Sequence, residues 1–247
     1  MSTPPTSPEA TPSSSFWSRW IGVYFSPREA FQDIVRKPDF IFPLLVTVLS
    51  AVAITETMLA KVGMERIIRN SMEMSGQAAR MSAEQMQQAV ERGASIGSIM
   101  AHAGGLLGAP IYLLIVAAIG LAICNAFFGS PVSFKKAFSV TCYANLSGFI
   151  GALMALAMIL FGDLERFNPN NPAPTNLGFF LNPLETSKAF LAFASSLDIF
   201  TIWLLILLGI GFSQATGGKV KALSVSLVYF GLWMVWVLGK VGLAVLF

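Results

Sequence analysis

The 247 residues are 55% hydrophobic and only 12% charged, against about 25% charged in soluble domains. A mean hydropathy of +0.68 over this length requires several membrane-spanning segments, not a single anchor. The net charge of only +3, without a basic tract, excludes a typical nucleic-acid-binding protein. The composition predicts an all-α polytopic membrane helix bundle.

The chain begins with a polar leader and a membrane-surface segment. Residues 1–15 are mostly Pro, Ser and Thr, which predicts disorder, and they lack the apolar core of a secretory signal. Residues 16–37 then carry Trp17 and Trp20, of a type that prefers the headgroup boundary. We expect this segment to lie at the membrane interface, the alternative being that it packs on the bundle.

Within that segment, Ser26 to Glu29 form a predicted helix start. Ser26 is a cap, Pro27 suits the first helical position and Glu29 completes a capping box. Phe31 and Ile34 then fall on one apolar side of the helix. We expect this amphipathic helix to lie on the membrane surface.

Five apolar stretches in the following membrane domain, residues 38–247, are long enough to cross a hydrocarbon core of about 30 Å. They are residues 40–60, 104–128, 138–161, 189–213 and 222–247. Residues 61–103 between the first two are predicted to form an extramembrane helical insert, in which Ser82 and Gln85 suit a second capping box. Residues 163–188 are expected to be a polar loop.

Small residues recur at helical spacing in two of these spans. Gly104 and Gly108 form a GxxxG pair, and Gly148, Ala152 and Ala155 form a stripe. Such positions let helix backbones approach closely in lipid. We therefore predict that they lie at helix–helix contacts.

Charged residues inside predicted spans are the main functional candidates. Asp198 and Lys240 fall at matching depth in the last two spans, and Glu56 and His102 fall in the same half of the membrane. A buried ion must pair or line a polar cavity. The sequence favours an Asp198–Lys240 clamp between two helices, and a proton or ion relay is the alternative.

Catalytic and metal-binding signatures are absent from the sequence. It contains no HExxH, GxSxG or complete P-loop, and its single histidine excludes a multi-histidine metal site within one chain. We expect no metal and no cofactor, and interpret the methionines of the insert as an apolar face and not as a copper(I) site. Cys124 and Cys142 are expected to be packing residues, with a disulfide between them as the alternative.

The basic residues give a small preference for one orientation. A cytoplasmic N-terminus places eight Lys and Arg inside and seven outside, and two very short basic turns then lie inside. We expect the N-terminus in the cytoplasm and the C-terminus on the opposite side.

Several stretches resemble bacterial Yip1-domain proteins. The resemblance rests on Pro27–Ile34, on Ser82–Gln85, and on Leu197–Trp203 continuing to the Gly217-Gly218-Lys219 turn. It implies a five-helix fold with a cytoplasmic N-terminus, in a bacterial cytoplasmic membrane. Eukaryotic relatives act in vesicle trafficking with Rab-type GTPases, which bacteria lack, so the resemblance implies the fold and not that role.

The sequence thus predicts a non-enzymatic membrane protein that organises the lipid bilayer or a protein partner, which is either another protein or a second copy of the chain. The capped surface helix, the amphipathic insert and the small-residue stripes suit interaction. The alternative is a small transporter or channel that uses Asp198, Lys240 and Glu56. An intramembrane enzyme ranks third.

Overall fold

The structure is a computed structural model that describes residues 15–74, 76–162, 168, 171–183 and 185–246. Apart from Ser15, the predicted leader, residues 1–15, lies outside the described residues, as does much of the polar loop near residues 163–170. The described residues form helices and connections without a β-strand. The predicted all-α membrane helix bundle is therefore confirmed.

Ten α-helices make up the described part of the chain, and short 3-10 and π-helical pieces extend some of them. A π-helical segment, Ala122–Phe127, continues α5, and a 3-10 turn, Leu146–Gly148, joins α6 to α7. The helices are α1 (Phe16–Phe25), α2 (Pro27–Arg36), α3 (Ile41–Lys61), α4 (Met64–Met74), α5 (Ala83–Leu121), α6 (Phe134–Asn145), α7 (Phe149–Phe161), α8 (Lys188–Ala194), α9 (Ile199–Ala215) and α10 (Ala222–Leu246).

Four helical segments in the described residues are long and apolar enough to cross a membrane. They are Ile41–Lys61, Ala83–Phe127, Phe134–Phe161 and Ala222–Leu246, and a shorter apolar helix, Ile199–Ala215, accompanies them. The four segments overlap four of the predicted spans, and Ile199–Ala215 overlaps the remaining one, with two differences.

The first difference is that the insert and the second span form one helix. The insert and the second span are not separate helices, since α5 and its π-helical continuation run unbroken from Ala83 to Phe127. The start of α5 is as predicted: Gln85 N donates to Ser82 Oγ at 3.2 Å and Ser82 N donates to Gln85 Oε1 at 2.9 Å. The helix continues through Gly104 and Gly105 at the junction and through Pro110 just beyond it, since membrane helices tolerate glycine and proline.

The second difference is a break in the predicted 189–213 span. The seven residues of α8 end at Ala194, and α9 starts at Ile199 after four residues that are not α-helical. Asp198 has an extended backbone and caps α9 with its side chain. The prediction of a continuous helix through Asp198 is therefore wrong.

Helices α1 and α2 form a hairpin that packs against α6 and α9. Phe31 and Ile34 are fully buried in the protein core, so the prediction that they face the membrane surface is wrong. Pro27 occupies the first turn of α2 and Glu29 lies in the same turn, but Ser26 makes no side-chain cap, so the first predicted capping box does not form. The outer face of α1 still exposes Trp17 and Phe25, as expected of a helix at the membrane boundary.

Close helix contacts occur at glycines other than the predicted ones. A Cβ on Gly104, Gly108 or Gly148 would meet no atom within 4 Å, so these three do not mark tight contacts. Instead, a Cβ on Gly211 would collide with Val140 of α6.

Other glycines also lie in close contact with a side chain from elsewhere in the bundle. Added Cβ atoms would meet Ser226 at Gly209, Phe212 at Gly120 and Thr55 at Gly105. The bundle therefore uses small residues for close approach, as expected in lipid, but on different helix faces from those predicted.

Candidate functional site

The break between α8 and α9 is the main irregularity of the apolar bundle. Asp198 accepts a hydrogen bond from Thr201 N at 2.8 Å and so satisfies one of the free N–H groups at the start of α9. Its backbone pairs with Asn176 in an isolated antiparallel bridge, and Ile199 N donates to Thr175 O at 3.0 Å. We call Ser195–Asp198 together with Lys240 the helix-break site.

The loop that precedes α8 folds over the break. Asn171 is buried and donates from Nδ2 to Ser195 Oγ at 2.9 Å. Gly178 lies so close to Ser195 that a Cβ would be 2.8 Å from its backbone nitrogen. Non-helical backbone is tolerated at membrane depth only where protein or a cavity surrounds it, and this loop supplies the protein cover.

A polar cavity of about 380 Å³ opens on one side of the break. Ser147 is buried on its wall, and its Oγ has no hydrogen-bond partner among the described residues. The predicted stripe Gly148, Ala152 and Ala155 lines this cavity. Other polar lining residues are Asn145, Thr175, Asn176, Asp198 and Thr201.

A larger groove of about 510 Å³ opens on another side, between α5, α9 and α10. Its polar end contains Ser195, Ser196, Asp198, Thr201 and Lys240. The rest of its wall is mainly apolar and aromatic, and includes Ile119, Leu205, Leu208, Tyr229, Trp233 and Trp236. This groove is amphipathic, with its charged groups at one end.

Asp198 and Lys240 face this same groove but do not form the predicted ion pair. The structure has no salt bridge between them. Lys240 Nζ donates to Ser196 Oγ at 3.4 Å and lies 5.7 Å from the centre of the Trp236 ring. Asp198 instead caps the N-terminus of α9, where its carboxylate accepts the hydrogen bond from Thr201 N.

Glu56 and His102 form a separate contact between α3 and α5. Glu56 Oε1 and His102 Nε2 are 3.4 Å apart, and both side chains are about half exposed, at 52% and 55%. His102 Nδ1 lies 2.6 Å from Ser98 O. The four predicted residues therefore do not make one charged cluster.

A second polar centre lies at the N-terminal side and was not predicted. Arg19 is 2% exposed, and its guanidinium contacts Asp33 Oδ2 at 2.8 Å and Asp39 Oδ2 at 2.5 Å. Tyr143 of α6 donates to Asp39 Oδ1 at 2.7 Å. We call these four residues the N-terminal ion network.

In the N-terminal ion network, the two carboxylates stabilise the charged form of Arg19. Burial alone would lower the pKa of Arg19, but hydrogen bonds and the negative charges of Asp33 and Asp39 outweigh this effect and raise the pKa. Arg19 also donates to Lys37 O at 3.1 Å. A sequence signal existed, because Arg19 and Val23 are four residues apart and share the buried face of α1.

The cysteines and the potential metal ligands of the described residues do not form a disulfide or a metal site. Cys124 and Cys142 are buried and free, so the alternative of a disulfide between them is not realised. No three His, Cys, Asp or Glu side chains of the described chain come together as metal ligands would. The candidate sites in the described residues are therefore the helix-break site with its two cavities and the N-terminal ion network.

Comparison with known proteins places the chain in a family. The model of the Yip1 domain family matches residues 21–239. The chain is also similar to "Membrane protein YknW" of Bacillus subtilis (strain 168), at 26% identity over 216 residues that cover 87% of this chain and 86% of the relative. No solved structure has significant similarity to it. Because the family match spans most of the sequence, this membrane protein belongs to the Yip1 family, as the sequence resemblance predicted.

Proposed function

We propose that the protein is a non-enzymatic membrane protein that binds and organises a partner protein through an extramembrane helical arm, residues 62–104. The observation that carries this proposal is the length of α5 with its continuation, Ala83–Phe127, which is 45 residues. At about 1.5 Å per residue it measures about 68 Å, more than twice the hydrocarbon thickness of about 30 Å. About half of this helix therefore projects beyond the membrane.

The arm is a packed unit. Helix α4 lies along α5, where Ile68 and Met64 fill the space above Gly93 and Gly97. Val90 on the same side of α5 is fully buried. Such packing holds the arm in one shape, which reduces the entropy cost of binding a partner.

The surface of the arm suits a protein more than a lipid or a nucleic acid. A cleft of about 750 Å³ between α4 and α5 is lined by Arg66, Arg69, Glu65 and Glu91. Charges of both signs side by side favour a partner surface with a complementary pattern, since a uniform anion would be repelled by the carboxylates. A protein partner, or a second copy of this chain, has such a pattern.

We also propose a location for the arm. The single crossing of α3 puts the arm on the opposite side of the membrane from α1 and α2. With the N-terminus in the cytoplasm of a bacterial cell, as the two short basic turns favour, the arm lies on the outer side of the cytoplasmic membrane. Cysteine accessibility at Ser95 and at Ser133 would test this orientation, with labelling from outside expected only at Ser95.

The docking role is tested by site-specific photocrosslinking in living cells. A photoreactive residue at Glu91 is expected to give one defined protein adduct, whereas the same residue at Leu227 on the exposed face of α10 gives lipid adducts. The double change Arg66→Glu and Arg69→Glu should abolish the protein adduct. The matched change Arg28→Glu and Arg36→Glu on α2 should leave it intact, and an adduct that survives the arm variant would contradict the proposal.

Transport is the second candidate function, and the break before Asp198 is the observation that favours it. Discontinuous membrane helices commonly form the substrate and ion sites of transporters. Flux in proteoliposomes that is lost with Asp198→Asn, but retained with Glu56→Gln at the separate Glu56–His102 contact, would support this candidate. Absence of flux for a range of ions would remove it.

A further inference from the structure

We propose that the groove between α5, α9 and α10 holds one membrane phospholipid with a zwitterionic amine headgroup, as in phosphatidylethanolamine. Lys240 binds the phosphate, Asp198 binds the ammonium, and one acyl chain lies along the apolar wall. This site is separate from the arm and independent of the docking function.

The shape and lining of the groove fit an amphiphile. Its volume of about 510 Å³ lies within the range of about 300–1,000 Å³ that is usual for ligand sites. Beyond the charged end, the wall is formed by Leu205 and Leu208 of α9 facing Ile119 and Tyr229. Tyr229 uses its hydroxyl to donate to Val116 O at 2.9 Å, so this polar atom is satisfied and does not hinder an acyl chain.

The depth of the charged end matches that of lipid headgroups. From the 216–221 turn, the 17 residues of α9 rise about 25 Å to Asp198, and α10 rises about 27 Å from Ala222 to Lys240. In a core of about 30 Å, both side chains lie near the boundary on the far side. A lipid that enters the groove from within the bilayer keeps its headgroup at its normal depth. A soluble ligand would have to cross the interface to reach the same depth.

The aromatic side chain beside Lys240 agrees with that depth. Trp236 lies next to Lys240, with its ring centre 5.7 Å from the Lys240 Nζ, whereas Trp233 lines the deeper part of the groove. Tryptophan is enriched at membrane–water boundaries, where one edge of the ring is apolar and its N–H meets polar groups. The polar end of the groove therefore opens at the boundary and its apolar part extends into the hydrocarbon region.

The two charges select the type of headgroup. Lys240 has no carboxylate within ion-pair distance in the described chain, and Asp198 uses Oδ1 for the helix cap. One cation and one anion in the same groove complement a headgroup that carries both a phosphate and an ammonium. A headgroup with only a negative charge would gain the contact with Lys240 but be repelled by Asp198.

The test is native mass spectrometry of the full-length protein released from nanodiscs that contain equal amounts of phosphatidylethanolamine and phosphatidylglycerol. We expect one retained phospholipid per protein, with phosphatidylethanolamine preferred by about tenfold, the size expected for one charge-assisted contact. Lys240→Met should reduce retention of both lipids. Asp198→Asn should remove the preference, since it deletes the anion but leaves a helix cap.

Control variants separate the lipid site from general effects. Lys61→Met removes an exposed lysine on the same side of the membrane and should change neither retention nor preference, and Lys240→Arg should preserve both. The arm variant Arg66→Glu and Arg69→Glu should bind lipid normally, so failure of one proposal is distinguishable from failure of the other. Equal retention of both lipids by the unaltered protein, or no loss with Lys240→Met in folded protein, would overturn the lipid site.

Discussion

The N-terminal ion network and the helix-break site show two different ways of placing charges in an apolar bundle. In the network, Arg19 contacts the carboxylates of Asp33 and Asp39 and the carbonyl of Lys37, and Tyr143 donates to Asp39. At the break, the contacts of Lys240 within the described chain are a long one with Ser196 and a nearby tryptophan ring. Arg19 in the first centre is surrounded by protein hydrogen-bond acceptors, whereas Lys240 in the second centre can still bind another group.

Packing is dense around the N-terminal ion network and loose around the helix-break site. Around the network, Phe31, Ile34 and Tyr143 belong to the main buried core. Around the break, cavities of about 380 and 510 Å³ remain. Because protein interiors are normally close-packed, open space beside partly unsatisfied polar groups indicates a place for a ligand, whereas dense packing around satisfied ions indicates a structural clamp.

The largest effect that this comparison predicts is the loss of Arg19. Arg19→Met leaves Asp33 and Asp39 without their cation, and breaking a buried ion network costs about 3 kcal/mol or more. Because both carboxylates are partly exposed, we expect the lower end of that range. Unfolding in detergent by circular dichroism measures it, with Arg28→Met on the exposed side of α2 as the control. A stability equal to that of the control would show that the network is not a clamp.

Sequence reasoning recovered the features that depend on local pattern. The apolar lengths of α3 and α10 and the capping box at Ser82 follow from neighbouring residues alone. The break was missed because residues 189–213 are apolar enough to be interpreted as one span, although Ser195-Ser196-Leu197-Asp198 carries three residues of helix-capping type. That cluster was the available local signal.

Contacts between distant segments were not recoverable in this way. Arg19 meets Asp39, 20 residues away, and Asp39 meets Tyr143, 104 residues away. The GxxxG spacing of Gly104 and Gly108 likewise fixes a helix face without saying what lies against it. The neighbouring Gly105 is the residue that contacts another helix, and it points about 100° away.

A medium loss of stability is expected when the dense core beside the N-terminal ion network is overpacked. Gly211→Ala would force Phe31 and Val140 apart, since the new Cβ would lie 3.0 Å from Phe31 Cδ1 and closer still to Val140. Overpacking of this kind costs about 1–3 kcal/mol. Gly148→Ala is the matched change beside the cavity, where a Cβ meets no atom within 4 Å, and we expect a change within about 0.5 kcal/mol.

Thermal unfolding of the two alanine variants in the same detergent is the measurement. Gly211→Ala should melt clearly below the unaltered protein, and Gly148→Ala close to it. Equal losses in the two variants would mean that the region of the break is as tightly packed as the core, and the comparison would fail.

The smallest effect on stability is expected at Asp198. Asparagine caps a helix about as well as aspartate, so Asp198→Asn should change the free energy of unfolding by no more than about 0.5 kcal/mol. Asp198→Ala loses the hydrogen bond to Thr201 N and should cost about 1 kcal/mol. Equilibrium unfolding of both variants, with Lys240→Met in parallel, measures these differences.

The relative stabilities of these three variants distinguish a helix cap at Asp198 from an ion pair with Lys240. If Asp198 pairs with Lys240, neutralising either partner strands a buried charge, so Asp198→Asn and Lys240→Met are both strongly destabilised and the double variant recovers. If Asp198 is a cap, only Asp198→Ala loses stability and the effect of Lys240→Met is independent of it. The geometry requires the second pattern, because the carboxylate of Asp198 is held by Thr201 and leaves Lys240 available for a ligand.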